Sequence, residues 1–258
     1  MHSHWRSILL LICLTVLFAS FVGAQEKQSS DLFPISVKRK AGFIDRTGKV
    51  IIEPQFEAVN DFSDGLARIY VSGNKFDTAY INELGKIVIE PQFDIGSNFS
   101  EGFVWVGFDP HKTEYKFGNK TYYSGTASDS FDYNIGFIDK TGKFITEPIF
   151  TFAEDFSEGL AVVRTKENKF GFIDKSGKIA LEPIYDVSSE FYEGLNPIYL
   201  NGGKYGFIDR TGKTVLKTEF GKVDDFKNGL AEVCESYEIN ARCGYIDKTG
   251  KVIWQPTK

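Results

Sequence analysis

The sequence is poor in the side chains on which most enzyme chemistry depends. Of its 258 residues, three are histidine, three are cysteine and one is methionine. His2 and His4 fall in an N-terminal segment that reads as a signal, which leaves His111 as the single imidazole of the mature chain. One imidazole excludes every multi-histidine metal site and leaves the plentiful Ser and Asp residues without a base. His111 itself follows Asp109-Pro110 in a loop, where a structural or solvent-facing role is expected.

Long apolar runs are equally scarce. One occurs, from Ile8 to Val22, preceded by Arg6 and closed by Val22-Gly23-Ala24. A basic start, an apolar stretch and a small final residue make residues 1–24 a signal peptide with cleavage expected before Gln25. The run is short for a bilayer-crossing helix, which needs about 20 apolar residues, so no stable membrane span is expected after cleavage, an uncleaved anchor being the alternative. Cys13 sits inside the apolar run and follows no small-residue box, which argues against a lipoprotein. The expected destination is therefore secreted, periplasmic or cell-surface.

A basic excess is absent too. Removing Arg6 from 30 basic side chains leaves 29 against 35 acidic ones, a mature charge near −6. The lysines recur once per turn instead of forming a block, so neither nucleic acid nor an anionic membrane finds an electrostatic footprint. Two cysteines remain, Cys234 and Cys243, flanking a loop between two expected antiparallel strands. Cross-strand placement in an oxidising compartment favours a disulfide between them.

What the sequence does have is repetition. Gly42-Phe43-Ile44-Asp45 returns at 136–139, 171–174 and 206–209, as Gly244-Tyr245-Ile246-Asp247, and in degenerate form as Ala79-Tyr80-Ile81-Asn82. The period is about 35 residues. Each copy continues to a Gly-Lys pair, then to an apolar stretch such as Val50-Ile51-Ile52 that ends in Glu53-Pro54, with Phe56 two residues on. A second motif lies between copies, Asp61-Phe62-Ser63-Asp64-Gly65-Leu66-Ala67 in its first occurrence.

These segments predict an all-β chain of tandem antiparallel three-stranded repeats, six units spanning 35–56, 66–93, 103–150, 160–185, 195–220 and 230–258. A short linker, 25–34, precedes this repeat domain, 35–258. The Asp-Lys-Thr-Gly-Lys connection is hairpin chemistry, with Asp accepting from backbone amides and Gly supplying a left-handed conformation. Proline, lacking an N–H, is expected to end the third strand. Period-two alternation puts Phe43 on one face and Ile44 on the other, so both faces are apolar and each unit must pack on its neighbours in sequence. Three strands in 35 residues is lean for a propeller blade, which favours an open twisted array over a propeller-like ring.

Phe170-Gly171-Phe172-Ile173-Asp174-Lys175-Ser176-Gly177-Lys178, followed by Glu182-Pro183, Tyr185 and Phe191-Tyr192-Glu193-Gly194-Leu195, resembles the WG (KWG) repeat. The resemblance covers nearly all of 35–258. It departs at the family's tryptophan, which is Phe170, Tyr205, Ala41, Ile135 or Cys243 here, and at Lys217-Thr218, where other units have Glu-Pro. The resemblance implies a bacterial surface, envelope or modular protein whose repeats form an interaction scaffold without catalysis.

The recurring turn aspartates Asp45, Asp139, Asp174, Asp209 and Asp247 could be read as a calcium ladder, but each is a lone carboxylate mostly followed by Lys or Arg, so turn capping is expected. The repeated Glu before Pro is unlike an active site, which occurs once. No metal and no cofactor is implied. Asn98-Phe99-Ser100 and Asn119-Lys120-Thr121 are formal glycosylation sequons, relevant to a eukaryotic source, which the resemblance does not suggest.

The strong break in symmetry is an insertion at 107–134, in the connector between the first two strands of the third unit. It is rich in aromatics, and Trp105, Tyr115, Phe117, Tyr122 and Tyr123 are the candidate binding residues. An extra hairpin from Thr113 to Tyr123, turning at Gly118-Asn119, whose rings merely pack on the scaffold, is the plainer reading of the same residues. Trp254 occupies the place of Ile52, Ile89 and Leu181 and is expected to cap the last unit's open face. The expected function is a non-catalytic scaffold for a protein partner, with a glycan-binding module of the cell envelope as the alternative and a hydrolase as a remote one.

Overall fold

The computed structural model describes residues 31–71, 78–109, 115–117, 120–122, 133–200 and 203–255. The signal segment, most of the linker, His111, Gly118-Asn119 and Tyr123 lie outside them. Among the described residues every regular element is a β-strand. The strands form six consecutive antiparallel sheets, one per repeat, plus a separate two-stranded ribbon.

Each sheet is built from the three strands that the repeat predicts. In the fourth these are Leu160–Arg164, Phe170–Asp174 and Ile179–Tyr185. Four of the six sheets carry a further short strand beside the first of these: Ala58–Ser63, Ile95–Gly96, Phe152–Ala153 and Lys222–Val223. Three of these are two residues long, too short to leave a period-two signature. Backbone bonds fix them instead, for example Thr151 N–H to the Arg164 carbonyl at 2.9 Å and Asp94 N–H to that of Gly107 at 3.0 Å. With four strands in a sheet, strand number ceases to argue for an open array.

The hairpin chemistry is as the sequence implies. Asp174 Oδ1 accepts from Ser176 N–H at 2.8 Å, Ser176 Oγ at 2.6 Å and Lys178 N–H at 3.2 Å, while Gly177 takes φ 80°. The same set closes the turns at Asp45, Asp139, Asp209 and Asp247. Proline, however, does not end the third strand: Pro54 lies within Val50–Phe56. That strand is outermost, so a missing N–H leaves no partner unsatisfied. A register shift between Ala41 and Phe43 bulges the strand toward its neighbour. A Cβ on Gly42 would then lie 2.3 Å from the Ile52 carbonyl oxygen, which requires glycine there for space.

Both faces of each sheet are apolar, and five core clusters fill the junctions between consecutive sheets. One contact recurs at all five. The aromatic of each Gly-Phe-Ile-Asp stretch meets the phenylalanine that opens the next unit: Phe43–Phe62, Tyr80–Phe99, Phe137–Phe156, Phe172–Phe191 and Phe207–Phe226, with ring centroids 4.8, 5.1, 5.3, 4.9 and 4.8 Å apart. The isoleucine on the opposite face, such as Ile173, packs back on the preceding sheet. Each sheet thus has a forward aromatic face and a backward aliphatic one.

A polar clamp accompanies each ring contact at four junctions. Asp64, Glu101, Glu158 and Glu193 adopt φ of 54°, 53°, 52° and 52°, although none is glycine. Their carboxylates accept from the N–H of Gly102, Gly159, Gly194 and Gly229 in the following unit. Three also hold that unit's turn cation: Lys175 at 3.1 Å, Arg210 at 2.6 Å and Lys248 at 2.9 Å. A left-handed non-glycine residue costs about 1–2 kcal/mol. A hydrogen bond to a charged group returns about 1.5–3 kcal/mol, so the clamp sustains the strained conformation.

Candidate functional site

The insertion leaves the third sheet between two neighbouring strands, Phe103–Phe108 and Asn134–Asp139, whose register sets Phe108 opposite Asn134. Within it, Tyr115–Phe117 and Lys120–Tyr122 pair antiparallel as a ribbon hydrogen-bonded to no other described strand. The ribbon sets Tyr115 opposite Tyr122 and Phe117 opposite Lys120. The structure therefore brings three of the candidate residues into one hairpin. Trp105 is elsewhere: it pairs with Phe137 in the third sheet and packs, half-buried, on the core between the third and fourth sheets. Tyr133, where the insertion rejoins the sheet, packs on the same cluster.

Cys234 and Cys243 are directly opposite in adjacent strands of the sixth sheet and are joined by a disulfide with an S–S distance of 2.09 Å. The bridge closes the loop that carries Tyr237, whose hydroxyl meets that of Tyr205 in the fifth sheet. It anchors this excursion in the sixth sheet, three sheets on from the one that carries the insertion.

A second group of residues was not singled out from the sequence. Glu154, Asp155, Glu190 and Asp225 come from three consecutive units and interact with one another electrostatically. Burial, then the nearby charges of Glu190, Asp225 and Asp155, pushes the Glu154 carboxyl up to about 7. Burial also raises Asp225, whose Oδ1 accepts from Ser189 Oγ at 2.9 Å. Tyr192 donates to Glu190 at 2.8 Å, and its phenol is held well above its ordinary value by burial and by that bond. The signal was present as a polar residue before each junction phenylalanine: Asp61, Asn98, Asp155, Glu190 and Asp225. Its convergence depends on the stacking of units some 35 residues apart, which a linear reading does not supply. Among the described residues, no group of three or more His, Cys, Asp or Glu side chains is placed to hold a metal ion.

No helix among the described residues is long and apolar enough to cross a membrane. No curated protein matches the sequence. Among solved structures, BamB from Moraxella catarrhalis is similar at 8% identity and TM-score 0.45, over 89% of this chain and 71% of that one. A eukaryotic initiation factor is similar at 11% identity and TM-score 0.42, over 90% of this chain and 74% of that one. The WD40 β-propeller domain of Doa1 is similar at 11% identity and TM-score 0.31, over 90% and 70%. The profile of the WG containing repeat matches five times in tandem, at residues 42–76, 79–109, 135–170, 170–204 and 205–236, which is more than half of the chain. The turn aspartates, the junction aromatics and the Glu-Gly-Leu clamps are thus the working parts of a repeat, and the chain belongs to the WG repeat family.

Proposed function

We propose that this protein is an exported, non-catalytic β-repeat scaffold that binds a protein partner through the hairpin inserted into its third sheet. The observation that supports this reading is the division of labour among residues. Features that recur have local structural duties: the aspartates close turns, the rings fill junctions, and the carboxylates clamp neighbours. The inserted hairpin occurs once, forms its own two-stranded ribbon, and draws on a segment dense in tyrosine and phenylalanine. Aromatic side chains are the usual anchors of protein interfaces because they bury a large area with few rotatable bonds. Export rests on the signal-like residues 1–24.

The register supplies a clean test. Because Phe108 and Asn134 are opposite one another, residues 109–133 can be replaced by a two-residue Asn-Gly turn that keeps the register of the third sheet, at the cost of the packing of Tyr133 and the Asp109 N–H bond to Asp94. The expected result is a folded protein with a single, modestly lowered melting transition and loss of the partner recovered by cross-linking in the source cell envelope. Retention of that partner would overturn the proposal. Tyrosines stack on sugar rings as well as on protein, so binding on a glycan array that is lost in Tyr122→Ala/Tyr123→Ala would transfer the assignment to a glycan.

A further inference from the structure

We infer that copies of this chain associate end to end, the sixth sheet of one against the first sheet of another. The five internal junctions define what covers each kind of face. Forward aromatics are fully buried under the next sheet's backward face: Phe43, Tyr80, Phe137, Phe172 and Phe207 are each 0% exposed. The sixth copy, Tyr245, is 38% exposed, and Trp254 opposite it is 54% exposed. Ile52, Ile89 and Leu181, at the position of Trp254, are buried.

The other half of the same interface lies open at the opposite end. In the first sheet the strand Phe33–Val37 places Phe33, Ile35 and Val37 on the face of Ile44. The corresponding backward face of the second sheet, made by Ala67, Ile69 and Ile81, is 0% exposed. Phe33 is 45% and Val37 49% exposed. Among the described residues, no core cluster joins the first sheet to the sixth. Repeat arrays ordinarily end in units with polar outer faces, which keep them soluble. Here the outer faces of the first and sixth sheets keep exposed aromatic and aliphatic side chains, with Glu232 beside Tyr245 the one charge directly opposite the sixth aromatic, and each is of the type that covers the other five times within the chain.

The end junction lacks the polar clamp. Asn228 stands where Glu193 and its equivalents supply a carboxylate, and the first turn's cation, Arg46, is already held by Asp31 at 2.7 Å. Association through rings alone is therefore weaker than an internal junction and reversible. The two faces differ, so the contact is heterologous: it leaves one free face of each kind and extends into chains or closes into a ring.

Sedimentation velocity of the purified protein over a concentration series tests this directly. The mass is expected to rise with concentration, and Phe33→Glu and Trp254→Glu are each expected to remain monomeric with unchanged melting transitions, since both side chains are half-exposed. An equimolar mixture of the two variants is expected to give a 1:1 dimer and nothing larger, because each retains the face that the other has lost. A protein monomeric at every concentration would overturn the inference, as would a mixture of variants that fails to dimerise.

Discussion

Glu158 accepts a hydrogen bond from the Gly194 amide at 2.9 Å while Arg210 approaches the same carboxylate oxygen at 2.6 Å. One side chain, held at φ 52°, thereby joins the fourth unit to two separate points of the fifth. Glu158→Ala removes both contacts and keeps the unfavourable backbone, and a loss of about 1–2 kcal/mol is expected in urea unfolding. Glu158→Gly relieves the backbone and should lose less. Equal losses for the two variants would show that the conformation carries no strain.

Phe172 is buried against Phe191 of the next unit. Phe172→Ala should cost about 3–5 kcal/mol, the usual penalty for a cavity of that size. Each unit touches chiefly its neighbours, so the loss is expected to split the unfolding transition near that junction. Ile184, exposed on the same sheet, gives the control: Ile184→Ser should change stability by less than about 0.5 kcal/mol.

The Cys234–Cys243 disulfide closes a loop with a sequence separation of 9. A loop of that length predicts that Cys234→Ser/Cys243→Ser costs about 2–3 kcal/mol. Alkylation of the denatured, unreduced protein followed by peptide mass mapping should find neither thiol labelled. The same spectra should show Gln25 as the first residue of the exported form, and recovery of residues 1–24 would refute cleavage.

Stability should peak in mildly acidic solution. Glu154 has its carboxyl raised from 4.5 to about 7 in the folded state, so its contribution is complete below about 4.5 and is lost as the pH rises through 7. The turn aspartates Asp45, Asp174, Asp209 and Asp247 work in the opposite sense. The hydroxyl bonds from Thr47, Ser176, Thr211 and Thr249 lower their values below 3.8, so their contribution holds above that pH and fades below it. Glu154→Gln should therefore raise the Tm at pH 8 by roughly 2–4 °C, the effect of about 1 kcal/mol in a domain of this size. At pH 4.5 the variant and the parent should coincide.

Much of this architecture is legible in the sequence because the repeat prints it six times. Gly-Phe-Ile-Asp gives a strand with two apolar faces, Asp-Lys-Thr-Gly-Lys gives its turn, and neighbour-on-neighbour packing follows. The two-residue strands are invisible because one or two backbone bonds impose no side-chain pattern. Gly42, which the repeat places in a strand without saying why it is glycine, is a spacing residue, a role that depends on where the Ile52 to Pro54 backbone passes. Among the candidate site residues, the pairing of Tyr115 with Tyr122 is the one expected of a hairpin centred on Gly118-Asn119 in the sequence. The burial of Trp105 does not, since one aromatic in an alternating strand does not reveal which neighbour will cover it.

The ring contact and the carboxylate clamp each reach one unit forward and no further. Such a molecule has no fixed size written into it. Duplicating a stretch of about 35 residues would add one more step to the stack with the same ring contact and clamp, and only the cluster of Glu154, Glu190 and Asp225, drawn from three consecutive units, would notice a copy placed inside it. Length is then free to drift over generations, while the hairpin of the third unit keeps its place relative to its own two neighbours.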